Sequence, residues 1–373
     1  MTDFKYADEH IGDREIMIAV PSTVVAVSVL TLPRYLAEST IAADAWVSLL
    51  FGGGIAIVLV WLATKLAVKF PRQSFLTYTS RLATKPVAYL FSSLYIILGV
   101  MLTSFEIRAI SEISHQYLFD KTPMEVVSLA FLFVVTYAVA GSRAGLFRLH
   151  SLFFPIAYGI TLFVIFLSFA FLNVENWMPR FQTDFVGYRK AMQSSALSIS
   201  GFGMVGMVLF YISLIKSPQK TPKKVSASML WVLILYVIIF ITCISVFGNV
   251  TTANLLFPTI ELSRAIELPG GFFNRFETLF FVVWTMAIFN TATMTFDIAV
   301  LGLQNLFPKV KKIRFVILLV PFIYLINAIP RNFTEVTKLG EFISIYGFTL
   351  TATVTVLLLL LAKVRGVKKS EKS

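Results

Sequence analysis

The stretch Ser194-Ser195-Ala196-Leu197-Ser198-Ile199-Ser200-Gly201-Phe202-Gly203-Met204-Val205-Gly206 decides the fold. It sits in a run without Asp, Glu, Lys or Arg from 191 to 215, long enough to cross a bilayer as a helix. Three glycines within six residues work against regular helix there, each costing about 1 kcal/mol relative to Ala. Such density either lets helices approach closely in lipid or marks a helix interrupted in mid-membrane.

Outward from this stretch the same pattern repeats. Charge-free runs cover 16–33, 45–64, 86–105, 126–142, 149–174, 225–260, 278–296, 315–330 and 342–362. The run 225–260 is too long for one span, and Gly248-Asn249 with Pro258 place its polar end in a loop. Ten helical spans are therefore expected. The chain is 57% hydrophobic and 14% charged, with a mean hydropathy of +0.81, too little polar surface for a molecule facing water all round. No run alternates apolar with polar residues as a membrane β-barrel would.

Charge sets the orientation. With the N-terminus inside, the inside segments carry 22 Lys or Arg against 9 outside, the positive-inside bias. Both termini are thus expected in the cytoplasm. Anionic lipid headgroups account for the basic clusters behind the net charge of +12, which points to membrane lipid and away from nucleic acid. Asp3, Asp8, Glu9, Asp13 and Glu15 make the N-terminus unlike a signal peptide, so the first span is expected to stay in the mature protein. Cys243, the sole cysteine, lies mid-span and rules out an intrachain disulfide.

The longer outside segments run over about 173–190 and 251–276. Pro179, Phe181, Phe185 and Tyr188 place the first against the membrane interface. Pro258–Pro269 reads as an amphipathic helix with Ile260, Leu262, Ala265, Ile266 and Leu268 on its apolar side.

Span one matches span six in irregularity. It holds Pro21 and Pro33, with Ala26-Val27-Ser28 between them and Thr31 after. In a ten-span chain, one and six are equivalent members of two five-helix halves, about 13–172 and 190–363, forming a single permease-like unit over 1–373. Halves with an odd number of spans enter the membrane in opposite directions, which gives an all-α membrane protein with a five-plus-five inverted repeat. Broken helices at matched positions point to a transporter site, where freed backbone groups and helix ends meet a small zwitterion. The expected walls are Ala26, Val27, Ser28 and Val29 of span one, with Ser200, Gly201, Phe202 and Gly203 of span six. Thr103 and Glu106 of span three, and Asn290 and Thr291 of span eight, close the sides.

Glu106 follows a charge-free run of twenty residues and shares a small, polar helix face with Thr103 and Gly99, so it is expected to face the bundle interior. Asp297, about twenty residues beyond Glu277, is expected at the cytoplasmic interface. No enzyme, cofactor or metal site is expected. His10, His115 and His150 lie far apart, and no Gly-rich loop precedes a Lys-Ser/Thr pair. The glycosylation sequons at Asn249 and Asn332 carry no weight.

The residues also carry a resemblance. Phe257-Pro-Thr-Ile-Glu-Leu-Ser-Arg-Ala-Ile-Glu-Leu-Pro-Gly-Gly-Phe-Phe-Asn-Arg-Phe-Glu277, followed by Val283-Trp284, is similar to the loop leading into span eight of the spore germination permease family. Val29-Leu-Thr-Leu-Pro33-Arg34 resembles that family's first span, and the likeness runs from about Asp13 to about Lys363. The resemblance implies the amino acid–polyamine–organocation fold, with an inverted repeat of amino acid permease/LeuT-like type, and a place in the inner membrane of the bacterial spore. It also implies a B subunit of a nutrient germinant receptor, working with an A subunit and a C lipoprotein on a small germinant, often an amino acid. Relatives often carry Gly-Xaa-Gly where this chain has Ala26-Val27-Ser28, which restricts backbone torsions and close ligand approach. Two other readings stay open: a proton-coupled secondary amino acid transporter, and a water- or ion-conducting or structural receptor subunit.

Overall fold

Charge-free runs become helices because the bilayer leaves backbone N–H and C=O groups no partner but one another. The structure, a computed structural model, describes residues 11–215, 218–265 and 276–366. Span one is a bent pair, α1 (Asp13–Val24) and α2 (Val27–Ser39), turning by 46°. Span two is α3 (Ala45–Ala67), and a short helix α4 (Phe75–Leu82) leads to span three, α5 (Lys85–Tyr117). Spans four and five are α6 (Met124–Ala140) and α7 (Arg143–Ser168). Span six is broken into α8 (Phe185–Ile199) and, after a 3-10 turn Met204–Met207, α9 (Val208–Tyr211). Span seven is α10 (Thr221–Phe247), followed by the short α11 (Asn249–Asn254) and α12 (Pro258–Ala265). Spans eight, nine and ten are α13 (Phe276–Leu306), α14 (Lys312–Ala328) and α15 (Phe333–Val364). Span six breaks at its glycines, whereas span one breaks at Val25-Ala26, between two prolines that lie inside α1 and α2.

Packing follows the broken spans. α13 lies along α5, α3 lies against α8 and α10, and α1 inserts among α7, α10 and α13. Gly52 and Gly53 let α3 close on α8 and α10: a Cβ on Gly52 would lie 2.6 Å from the Met192 carbonyl. The lipid side is apolar, with Phe51, Val58, Phe133, Tyr137, Phe166 and Leu360 exposed. Cys243 is fully buried between helices.

The segment 173–184 is pinned from two sides. Asn173 N–H and Asn176 Nδ2 both donate to the Ser245 carbonyl, each at 3.0 Å. Phe181 N–H donates to Asp44 Oδ1 at 2.7 Å. α12 forms as expected over Pro258–Ala265, while Ile266 and Leu268 lie outside the described residues, as does most of 266–277. The sequon residue Asn249 is occupied: its amide donates to the carbonyls of Ala37, Thr40 and Ala42 at 3.3, 3.0 and 3.3 Å, closing the end of α2.

Candidate functional site

The break of span one is sealed by side chains. Ala26 leaves helical geometry at φ −137° and ψ −129°. The Val24 carbonyl then accepts from Ala26 N–H at 3.1 Å, Ser28 Oγ at 2.9 Å and Tyr236 Oη at 3.2 Å. Ser28 Oγ and Tyr236 Oη are themselves 2.6 Å apart. Thr291 Oγ1 donates to the Thr23 carbonyl at 3.3 Å, and Asn290 Nδ2 to Ser22 Oγ at 3.0 Å. On the other side Thr259 Oγ1 donates to the Val29 carbonyl at 2.8 Å. The carbonyls expected to wait for a ligand are met by hydroxyls from spans seven and eight and from α12.

Span six breaks differently. Gly201, Phe202 and Gly203 have φ of +56°, +51° and +86°, three consecutive left-handed residues. The two glycines adopt this region freely, whereas Phe202 does so against the preference of an L side chain. The turn keeps its amides bonded: Phe202 N–H to the Leu197 carbonyl at 3.1 Å, and Met204 N–H to that of Gly201 at 2.8 Å. Thr351 Oγ1 of span ten donates to the Gly203 carbonyl at 2.9 Å. A Cβ on Gly201 would meet the Val24 backbone at 3.3 Å, so the two breaks lie directly against each other.

Outward of the breaks lies a cavity of about 490 Å³, walled by α2, α5, α8 and α15 and by Phe257. Val27, Phe105 and Phe202 form its floor, with the Phe105 and Phe202 rings edge to face at 5.7 Å. Its mouth carries Glu38, Lys190 and Glu341, and the wall carries Glu112. Arg34 pairs with Glu38 at 2.7 Å and Arg108 with Glu112 at 2.6 Å. Of the twelve residues expected at the site, Val27 and Phe202 line this cavity. Ala26, Ser28, Val29, Thr103, Glu106, Ser200, Asn290 and Thr291 are at most 2% exposed and lie beneath or beside it, as does the Gly201–Gly203 turn.

Glu106 is 1% exposed, and its Oε2 has no hydrogen-bond partner among the described residues. Thr103 turns to span eight, its Oγ1 2.8 Å from Thr295 Oγ1 and 2.7 Å from the Gly99 carbonyl. Asp297 corrects an expectation. It is fully buried rather than interfacial, with Arg143 Nε at 2.9 Å, Lys312 Nζ at 3.5 Å and Tyr211 Oη at 2.8 Å. Two cations and a phenol from spans five, nine and six surround the carboxylate and draw it beneath the helix ends.

A family model described as spore germination protein matches residues 10–336. The chain belongs to the spore germination protein family. Spore germination protein GerLB of Bacillus cereus is 39% identical over 98% of this chain and 97% of its own length. YndE of Bacillus subtilis (strain 168) is 28% identical over 95% and 96%. The fold is also that of two solved transporters. MhsT in complex with L-phenylalanine matches with a TM-score of 0.69 at 15% identity, covering 94% of this chain and 89% of that one. Mhp1, a nucleobase-cation-symport-1 family transporter with bromovinylhydantoin bound, matches at 0.67 and 12% identity, covering 98% and 96%.

This member of the spore germination protein family thus has a transporter fold whose breaks are closed by its own side chains. Tyr236, which closes span one, was not legible as a site residue. A single Tyr in the long run 225–260 reads as core, and only the structure sets its hydroxyl on the Val24 carbonyl. Among the described residues no three His, Cys, Asp or Glu side chains are grouped to hold a metal ion.

Proposed function

We propose that the chain is the germinant-sensing membrane subunit of a spore nutrient receptor and binds a small nutrient, an amino acid, in its transporter-like cavity to trigger germination. The observation that carries this reading is the 490 Å³ cavity ending on Val27 and Phe202, the residues at the two helix breaks. Such a floor converts occupancy into movement: a ligand pressing on it separates two segments that now lie in contact. Ser28, Gly201, Asn290, Thr291 and Glu106 then supply the polar groups beneath. A receptor A subunit and a C lipoprotein are the partners. The setting is the inner membrane of the spore, with both termini cytoplasmic and residues 1–373 forming one permease-like unit. In a Cys243→Ala background, a cysteine at Lys121 should react with an impermeant thiol reagent in intact cells and one at Lys220 should not.

The functional test uses spores that lack the gene and then regain it. Wild type should restore germination to particular amino acids. Val27→Trp, filling the floor, should move the half-maximal concentration by about tenfold or more at equal receptor abundance. Restored spores that answer no nutrient differently from the null strain would overturn the reading. A second reading, a proton-coupled amino acid transporter, is supported by the buried Glu106, whose Oε2 has no hydrogen-bond partner among the described residues, and is tested by radiolabel uptake into proteoliposomes.

A further inference from the structure

A second cavity, of about 260 Å³, lies on the lipid side of the bundle, between the start of α3, the segment 173–184 and α10. Trp46, Trp177, Phe181 and Ile241 wall it, and Arg180 and Asp44 stand at its edge. Its own hydrogen bonds are already made. Asp44 Oδ1 accepts from Phe181 N–H at 2.7 Å, and Oδ2 from Thr183 N–H at 3.1 Å and Thr183 Oγ1 at 2.8 Å. Trp177 Nε1 donates to Ser245 Oγ at 2.6 Å. The walls therefore present ring faces and aliphatic carbon, and two charges flank the space: the Asp44 carboxylate, 3% exposed and turned to its neutral donors, and the exposed Arg180 guanidinium, the one free to reach a ligand. Arg180 is exposed and makes no ion pair with the described residues.

The cavity continues the lipid-facing surface. On α3, Trp46 and Leu50 are 37% and 45% exposed. On α10, Ile234 is 47% exposed, and the half-buried Ile238 and Ile241 follow at helical spacing on the same side. These two helices pack together, so an apolar track leads along their junction and ends under the Trp46 and Trp177 rings. Trp at helix ends is the mark of the membrane interface, where acyl chains give way to headgroups. A guanidinium there matches phosphate with two parallel hydrogen bonds.

We propose that this cavity is a binding site for an anionic phospholipid, one acyl chain lying along the α3–α10 junction and the phosphate on Arg180. The rings alone would also suit the choline of a zwitterionic lipid. Arg180 is exposed where Asp44 is buried and already hydrogen-bonded, so the charge a headgroup meets there is positive and selects against choline. The segment 173–184 is held in place by Asp44 and Ser245, so the ligand meets a preformed site.

Native mass spectrometry of the full-length protein, with phosphatidylglycerol or phosphatidylcholine added at equal mole fraction, tests this. Wild type should retain one phosphatidylglycerol under activation that strips the other lipids, and Arg180→Gln should hold it about tenfold less well. Ile241→Trp, which fills the track from a membrane-facing position, should abolish retention. Arg180 is exposed and can change without disturbing the core. Equal retention in wild type and both variants would overturn the site. Equal retention of the two lipids by wild type would overturn the anionic assignment. Displacement of the lipid by inorganic phosphate at matched concentration would show a free-anion site instead.

Discussion

Ser28 Oγ and Tyr236 Oη lie 2.6 Å apart and share the carbonyl of Val24 as acceptor. Span seven thereby holds span one at the residue where its helix breaks. Tyr236→Phe removes the hydroxyl that meets both Ser28 Oγ and the Val24 carbonyl, keeps the ring, and leaves Ser28 alone on that carbonyl. A lost buried hydrogen bond costs about 1 kcal/mol, so the half-maximal germinant concentration should move by about fivefold with an unchanged maximum. A dose curve superimposable on wild type would mean that the triangle has no part in the response.

Glu106→Gln keeps shape while removing the charge of a side chain that is 1% exposed. At wild-type receptor abundance in spore membranes, germination should fall by about tenfold or more in sensitivity, since a buried ionisable group in a span is retained for what it binds. An unchanged response at equal abundance would make Glu106 a packing residue.

Gly203 and Gly347 touch through their backbones, and a Cβ on Gly347 would overlap the Phe202 carbonyl. Gly347→Ala should therefore destabilise the protein by about 1–3 kcal/mol or more, read as reduced membrane abundance and a lower melting temperature in detergent. Gly54→Ala is the contrast, because nothing lies within 4 Å of its added carbon. That variant should match wild type or exceed it slightly.

Asp297→Asn leaves Arg143 and Lys312 without the buried carboxylate they flank. Breaking a buried pair by removing one partner costs about 3–5 kcal/mol. Tyr211→Phe removes a single neighbouring bond and should cost about 1 kcal/mol. Thermal denaturation of the two purified variants should rank them in that order.

Asp44, at the turn before α3, gives a pH dependence. Burial works to raise its carboxyl, but hydrogen bonds from Phe181 and Thr183 outweigh this and hold it below its ordinary value. A lowered folded-state value gives stabilisation that is complete above the unfolded carboxyl's range, about pH 4, and is lost as pH falls through the folded value. Purified wild type should lose thermal stability across that acid window. Asp44→Asn should be less stable at pH 7 and show less change below pH 4.

The spans and their interruptions were legible because solvent and lipid impose them one segment at a time. Charges end a span, and Gly201-Phe202-Gly203 cannot continue one. Depth within the bundle was less legible. Glu106 and Asp297 each stand beside a long apolar run, yet their surroundings differ: the first has an unpartnered oxygen, the second three partners. Those partners come from positions 143, 211 and 312, whose meeting depends on how distant helices cross and leaves no local signature. The same holds for Ser28 and Thr291, expected as walls of the ligand site, and for Thr259, which the sequence did not single out: all three satisfy broken backbone.

The backbone contact at Gly203 has a mechanical consequence. Where Gly203 meets Gly347, backbone rests on backbone with no side chain to absorb a shift, and Thr351 Oγ1 of α15 also holds the Gly203 carbonyl, so displacement of the turn bears directly on α15. From its start near the cavity mouth, α15 runs unbroken to Val364, and the next residue, Arg365, donates to the carbonyls of Arg81 and Ala83 at 2.6 and 3.3 Å. A nudge delivered at the floor of the vestibule thus arrives, along one rigid rod, at a joint on the far face of the membrane. On the proposed sensing role, news of a nutrient would cross the bilayer while the nutrient itself stayed on the side from which it came.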